Sequence, residues 1–218
     1  LPIFKDWIFE RASQGLPDFL CAAGVMYEKG EWGLDKNSKK AVEFYSKAAL
    51  IGHPSAQTRL GRSYLLGSGI EQNLELAFSW FSKGAASGYP QAVTNLGEAY
   101  ELGHGVVQNL EKAFELYSEA AESGFAPAQW ALGKLYEDGK GLNRDYKKSV
   151  MWYEKAAVQG NAQAQTSLAM MYEFGKGVPK DEPKAMEWYL KASFQNNERA
   201  IRNLNFMRER GLEVPDEF

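Results

Sequence analysis

Side chains suited to acid–base, nucleophilic or metal chemistry are few in this sequence, and they lie far apart. It has two histidines, His53 and His104, and one cysteine, Cys21. Neither histidine has a second histidine or a cysteine at helical spacing, so a zinc site, which needs several converging donors, is not expected. A nucleophile–base pair cannot be assembled from one cysteine and two distant histidines. Cys21 lies among apolar residues and reads as a buried, inert thiol; being alone, it leaves the redox compartment open. The loop Gly103-His104-Gly105 has the glycine spacing of a phosphate loop. A dinucleotide fingerprint, however, follows a strand and opens a helix, and here the same spacing returns as a turn. Carboxylates such as Glu137 and Asp138 read as solvated surface. No catalytic residue, metal site or cofactor is expected.

The elements around these residues recur. Gly52, Gly88, Gly124 and Gly160 stand 36 residues apart, and so do Gly67, Gly103, Gly139 and Gly175. Leu60, Leu96, Leu132 and Leu168 keep the interval, as do Tyr64, Tyr100, Tyr136 and Tyr172. A fixed period of this length marks a repeat architecture. Ala56, Leu60, Gly61 and Tyr64 share one helical face. After a loop with Gly67 and Gly69, Ala77, Phe78, Phe81, Ala85 and Ala86 share the face of a second helix. Asn37, Asn73, Asn109, Asp145 and Asp181 stand where N-caps of second helices belong. Pro17, Pro54 and Pro90 suit the starts of first helices. The glycines ending the helices suit left-handed C-caps, with Asn196 taking that place in the last unit.

This spacing predicts an all-α chain organised as one solenoid domain over 1–218. Five full repeats span 15–51, 52–87, 88–123, 124–159 and 160–195. Residues 1–14 form a partial unit containing a second helix only, and 196–218 form a C-terminal half repeat. There Asn205 and Arg208 replace apolar residues, as suits a terminal cap facing water. The chain opens at Leu1 rather than methionine, as a processed chain or a fragment of a longer protein would. A hydrophobic share of 44%, a charged share of 24% and a net charge of −3 are ordinary for a globular protein. They give no basic face for nucleic acid. No apolar run approaches the ~20 residues of a transmembrane helix.

The pattern Ala92, Leu96, Gly97, Tyr100, Gly103 and Gly105, then Lys112, Ala113, Tyr117, Ala120, Ala121 and Gly124, resembles the Sel-1-like repeat, a relative of the tetratricopeptide repeat. The resemblance runs through nearly the whole chain. It implies a right-handed superhelical solenoid of antiparallel helix pairs, with first helices lining the concave face. It also implies adaptor or scaffold work, with a leaning towards a bacterial envelope or secreted setting over the cytoplasm. One branch of the family is rich in cysteine pairs that staple each repeat; this chain, with Cys21 alone, departs from it.

By analogy with tetratricopeptide repeats, two rows face the groove. One reads Cys21, Thr58, Thr94, Trp130, Thr166 and Arg202, and the other Val25, Arg62, Glu98, Lys134, Met170 and Phe206. Trp130 stands where three other repeats carry threonine, and tryptophan and arginine are enriched at binding hot spots. The expected partner-binding patch is Trp130 with Arg62, Glu98, Lys134, Met170, Thr94 and Thr166, taking a protein or peptide; Trp130 packing against its own or an adjacent repeat is the alternative. The arginines Arg199, Arg202, Arg208 and Arg210 read as a cap that an acidic partner could also use. Two further readings stand beside the adaptor. One is a structural spacer, or a segment self-associating through the open N-terminal helix. The other is an enzyme, such as a hydrolase of cell-wall-like substrates, for which no catalytic constellation is visible.

Overall fold

A computed structural model describes residues 2–215, with side chains from residue 4. Among the described residues there are twelve helices and no strand. They are α1 (Pro2–Ser13), α2 (Pro17–Lys29), α3 (Ser38–Leu50), α4 (Pro54–Leu66), α5 (Leu74–Ala85), α6 (Pro90–Leu102), α7 (Leu110–Glu122), α8 (Ala126–Asp138), α9 (Tyr146–Val158), α10 (Ala162–Phe174), α11 (Glu182–Ser193) and α12 (Glu198–Glu209). The fold is an all-α solenoid of helix pairs. Its contacts divide into two compact units that meet within α7, one ending at Leu116 and the other starting at Tyr117.

The second helix of each full repeat begins on a side-chain cap. Asn37, Asn73, Asn109, Asp145 and Asp181 accept from the amides of Lys40, Leu76, Lys112, Lys148 and Lys184 at 2.8–3.0 Å. Their own amides donate to the carbonyls of Tyr27, Tyr64, Tyr100, Tyr136 and Tyr172 in the preceding helix. One residue therefore ends the loop, starts the helix and ties the loop back to its partner. First helices are capped less uniformly. Pro17, Pro54 and Pro90 occupy N1, where a missing amide is harmless. Asn161 and Asn197 cap α10 and α12. His53 caps α4 with Nδ1, while its Nε2 lies 3.0 Å from Asp18. Asn196 adopts φ +59°, the left-handed conformation expected of it, two residues past the α11 C-cap Phe194.

The Gly-x-Gly loops are structural. Gly103 closes α6 in the left-handed region at φ +74°, and a β-carbon there would meet nothing nearer than 3.6 Å. Gly105 also has positive φ, but a β-carbon would run into the backbone of Leu74 at the start of the previous second helix. Gly177 lies in the same way against Tyr146. The first glycine of the motif thus serves the turn, and the second lets one repeat seat on the next.

Within a repeat, an aromatic ring of the second helix lies on a glycine of the first. A β-carbon at Gly61 would approach the Phe81 ring to 2.6 Å, and one at Gly133 the Tyr153 ring to 2.7 Å. The same contact joins Gly24 to Tyr45. Where the ring is tyrosine, its hydroxyl donates to a glutamate of the first helix: Tyr45 to Glu28 at 2.5 Å, Tyr153 to Glu137 at 2.7 Å and Tyr189 to Glu173 at 2.8 Å. Burial, with the carboxylate beside it, pushes each of these phenols far above its ordinary range. The next repeat contributes as well, since Asn203 donates to the Tyr189 hydroxyl at 2.9 Å. In the second repeat Phe81 and Leu65 replace tyrosine and glutamate together, and Asn95, which holds the place of Asn203, keeps a buried Nδ2 with no hydrogen-bond partner.

Two outcomes follow for stability. Gly103→Asn should lower the free energy of unfolding by less than about 1 kcal/mol, and Gly105→Asn by more than about 2 kcal/mol, because only the second combines positive φ with a backbone collision. Urea unfolding followed by circular dichroism separates them. Phe81→Tyr combined with Leu65→Glu gives Asn95 an acceptor and the new hydroxyl an acceptor of its own. A double-mutant cycle should show favourable coupling of about 1 kcal/mol, and additive effects would contradict the network.

Candidate functional site

The rows proposed for partner contact lie on the first helices, and the structure divides them sharply by accessibility. Thr94 and Thr166 are buried, and their hydroxyls donate to the Pro90 and Ala162 carbonyls one turn back in the same helix. Thr58 is placed alike. These threonines shape the helix surface from beneath and offer a partner no free group. Arg62 and Glu98 are exposed in the first unit, on α4 and α6. In the second unit, Lys134 is exposed, whereas Trp130 and Met170 are half-buried.

Trp130 does two things. Its indole packs against the cluster of Val150, Tyr153, Leu168 and Met171, and Nε1 donates to Ser167 Oγ in the following repeat at 3.2 Å. The Lys134 ammonium lies 5.6 Å from the centre of its ring, close enough for cation–π attraction. Trp130 thus spans the packing role and the surface role weighed in the sequence.

Beyond it, α10 and α12 form an open cleft of about 350 Å³ lined by Met170, Glu173, Phe174, Arg199, Asn203, Phe206 and Arg210. Phe174 and Phe206 are 59% and 61% exposed. Phe206 belongs to the second row, and Arg199 and Arg210 to the basic cluster. Phe174 was missed, because it stands at the end of its helix and outside both rows; the one available signal was its repeat place, held by leucine at Leu66 and Leu102.

In the first unit, Arg59 pairs with Glu28 at 2.8 Å, beside two small polar hollows also lined by Arg62. Between α1 and α3 runs an apolar cleft of about 670 Å³ lined by Phe9, Leu20, Phe44, Leu50 and Ile51, among others. No group of three or more His, Cys, Asp or Glu able to hold a metal occurs among the described residues. His104 sits half-buried in its loop, its amide donating to the Ala99 carbonyl.

Cys21 is 6% exposed and its thiol points at Ser55 Oγ, 3.9 Å away. Burial raises its pKa above the ordinary thiol value. At a given pH the folded chain therefore holds less thiolate than the unfolded chain, and thiolate is the reactive form. At pH 8 its reaction with Ellman's reagent should be slower folded than in urea, because the thiol is both buried and less ionised. Equal rates would show an accessible, ordinary thiol.

A model of the Sel1 repeat matches the chain five times, at residues 17–53, 54–89, 90–125, 126–161 and 162–197. The chain is 36% identical to a Sel1 repeat protein from Oxalobacter formigenes, with a TM-score of 0.77 over 93% of this chain and 58% of that one. It is 35% identical to c5321, a protective antigen of uropathogenic Escherichia coli strains with an SLR fold, with a TM-score of 0.75 over 97% of this chain and 45% of that one. An immunity protein of Pseudomonas aeruginosa, Pa5087, is 26% identical, with a TM-score of 0.59 over 81% of this chain and 67% of that one. The chain thus spans about half the length of the first two. Five consecutive family matches, on helix pairs of which four carry a Gly-x-Gly loop, place this chain in the Sel1 repeat family.

Proposed function

We propose that this chain is a non-catalytic scaffold that binds a protein or peptide along the exposed faces of its first helices. Proteins built from Sel1 repeats are generally protein-interaction scaffolds, and the similar structures come from bacteria. The observation that carries the reading is a contrast between positions of one helix. The leucine place is kept at Leu60, Leu96, Leu132 and Leu168, all buried. Two residues further on stand Arg62, Glu98, Lys134 and Met170, which differ in charge and size at each step; the first three are exposed. Packing needs are met by the uniform positions, which leaves the variable ones free to recognise something.

On this reading Trp130 is an anchor held rigid by Ser167, and Lys134 and Met170 border it. A rigid aromatic with little conformational entropy left to lose is the kind of group that dominates an interface. Arg62 and Glu98 are the recognition groups of the first unit. Thr94 and Thr166 support these surfaces without touching the partner.

Self-association is the second reading. Phe4 and Trp7 on α1 are 47% and 40% exposed, and a separate side of α1, carrying Phe9 and Ala12, lines the apolar cleft with α3. Exposed apolar surface of this kind can mark a contact site.

The test is capture from lysate of a bacterium encoding the chain, using the wild type, Lys134→Glu and Trp130→Ser side by side, each checked for equal helicity. Lys134→Glu serves as the cleaner probe because Trp130 also packs. A protein retained by the wild type and lost by Lys134→Glu, with a drop in affinity of about tenfold or more, is the expected result. Retention by both variants would move the partner surface elsewhere. Recovery of the chain's own copies alone would favour self-association.

A further inference from the structure

We infer that the cleft between α10 and α12 is a docking site for an acidic peptide segment bearing one large apolar side chain. This rests on the scaffold reading and names the chemistry that one part of the surface selects.

The floor is apolar. Met170, Phe174 and Phe206 all line the cleft, and the two phenylalanines stay more than half exposed, although each could have been polar without loss to the core. Met207 and Leu204, on the other side of α12, are fully buried and do the packing. A thioether lining a cleft with two aromatic rings makes an adaptable seat for an apolar side chain. The open volume of about 350 Å³ admits such a group from solvent.

The rim is cationic. Arg210 is held in place by two carboxylates, Nη1 to Glu173 at 3.0 Å and Nη2 to Glu182 at 2.6 Å. Glu173 is itself committed to the Tyr189 hydroxyl, and Glu182 also to Lys180 at 2.9 Å. The acids bordering the cleft are therefore matched by cations, and Glu182 is held ionised by Lys180 and Arg210. Arg199 lines the cleft, is exposed, and makes no ion pair among the described residues. Glu198 and Glu209 belong to the same helix but not to the lining. Arg199 is thus an uncommitted guanidinium beside an exposed apolar floor, with Asn203 between it and Phe206 as a further polar group. A carboxylate can engage a guanidinium through two parallel hydrogen bonds. A peptide that places a carboxylate on Arg199 and an aromatic or large aliphatic side chain between Phe174 and Phe206 satisfies both halves. A basic peptide would meet like charge, and a polar one would leave the floor in water.

The probe is a fluorescein-labelled octapeptide, Gly-Asp-Glu-Phe-Asp-Glu-Asp-Gly, followed by fluorescence anisotropy on the full chain at low salt. Saturable binding at about 0.1 mM or tighter is expected, weakening as salt rises because exposed charges are screened. Replacing the peptide phenylalanine by alanine, or its acids by lysines, should lower affinity at least about tenfold, as should Arg199→Glu and Phe206→Ser in the protein. Both substitutions fall on exposed side chains and should leave the unfolding midpoint unchanged; Lys39→Glu, an exposed charge reversal on α3 in the other unit, should leave peptide binding unchanged.

Undiminished binding to both protein variants would overturn the location. Binding of the lysine peptide in preference to the acidic one would overturn the chemistry while leaving a groove that takes peptides. Anionic phospholipid vesicles run in parallel must not bind in an Arg199-dependent way, or the cleft is a lipid site. If no peptide binds, the proposal fails here, whereas the scaffold reading stands or falls on the Lys134→Glu capture.

Discussion

An aromatic ring resting on a glycine of the facing helix sets the spacing inside three of the helix pairs, and in the α10/α11 pair Ala169 takes the glycine's place beside Tyr189. At Gly24, Gly61 and Gly133 there is no room for a methyl group under Tyr45, Phe81 and Tyr153. The two helices approach until ring meets backbone, and the rings are then fully buried. Burial of so large a ring contributes roughly 1.5–3 kcal/mol, yet it also brings a phenolic hydroxyl into the interior, where an unmet hydrogen bond would offset the gain. A glutamate from the first helix meets that need, and a polar residue of the next repeat can join it. The close contact, the buried hydroxyl and the coupling between repeats form one chain of consequence. Where Phe81 removes the hydroxyl, Leu65 removes the glutamate, and Asn95 is left with an amide nitrogen unmet.

The same logic separates supporting residues from recognising ones. The buried positions of the first helices face the second helices and the next repeat, so their types are held narrowly by packing. The adjoining positions face solvent and are free to differ. Trp130 lies on the boundary, its indole edge bonded to Ser167 and its ring beside the Lys134 ammonium. A side chain so placed is ordered before any partner arrives, which removes part of the entropy lost on binding. Arg210, fixed between Glu173 and Glu182, is ordered in a comparable way by charge.

Much of this was legible from residue types and intervals. The 36-residue register of glycine, leucine and tyrosine located the helix pairs, and the five Asn or Asp caps located the starts of the second helices, because capping and left-handed turns depend on residues close in sequence. The two roles of Gly-x-Gly could be assigned to turns but not told apart. Gly103 meets a local demand, whereas Gly105 is required by the backbone of Leu74 in the previous repeat, and that contact is invisible along the chain. The His53 cap was hidden for a different reason, since histidine is an uncommon cap and its choice there is linked to Asp18 in another helix.

Accessibility was the quantity that residue types could not supply. Thr94 and Thr166 occupy the same register as Trp130 and were grouped with it, but a threonine is short enough to sink beneath the surface and bond its own helix, and tryptophan is not. The exposed Phe174 lies at a helix end, outside the rows that periodicity singles out, and joins Phe206 only because α10 and α12 stand side by side. By itself the sequence determined the repeat, the caps, the turns and the family, since all are written in short intervals that recur. Tertiary structure alone decided which register positions reach solvent, which buried hydroxyls find an acceptor, and which arginine is left uncommitted. Those depend on the distance between helices brought together by packing.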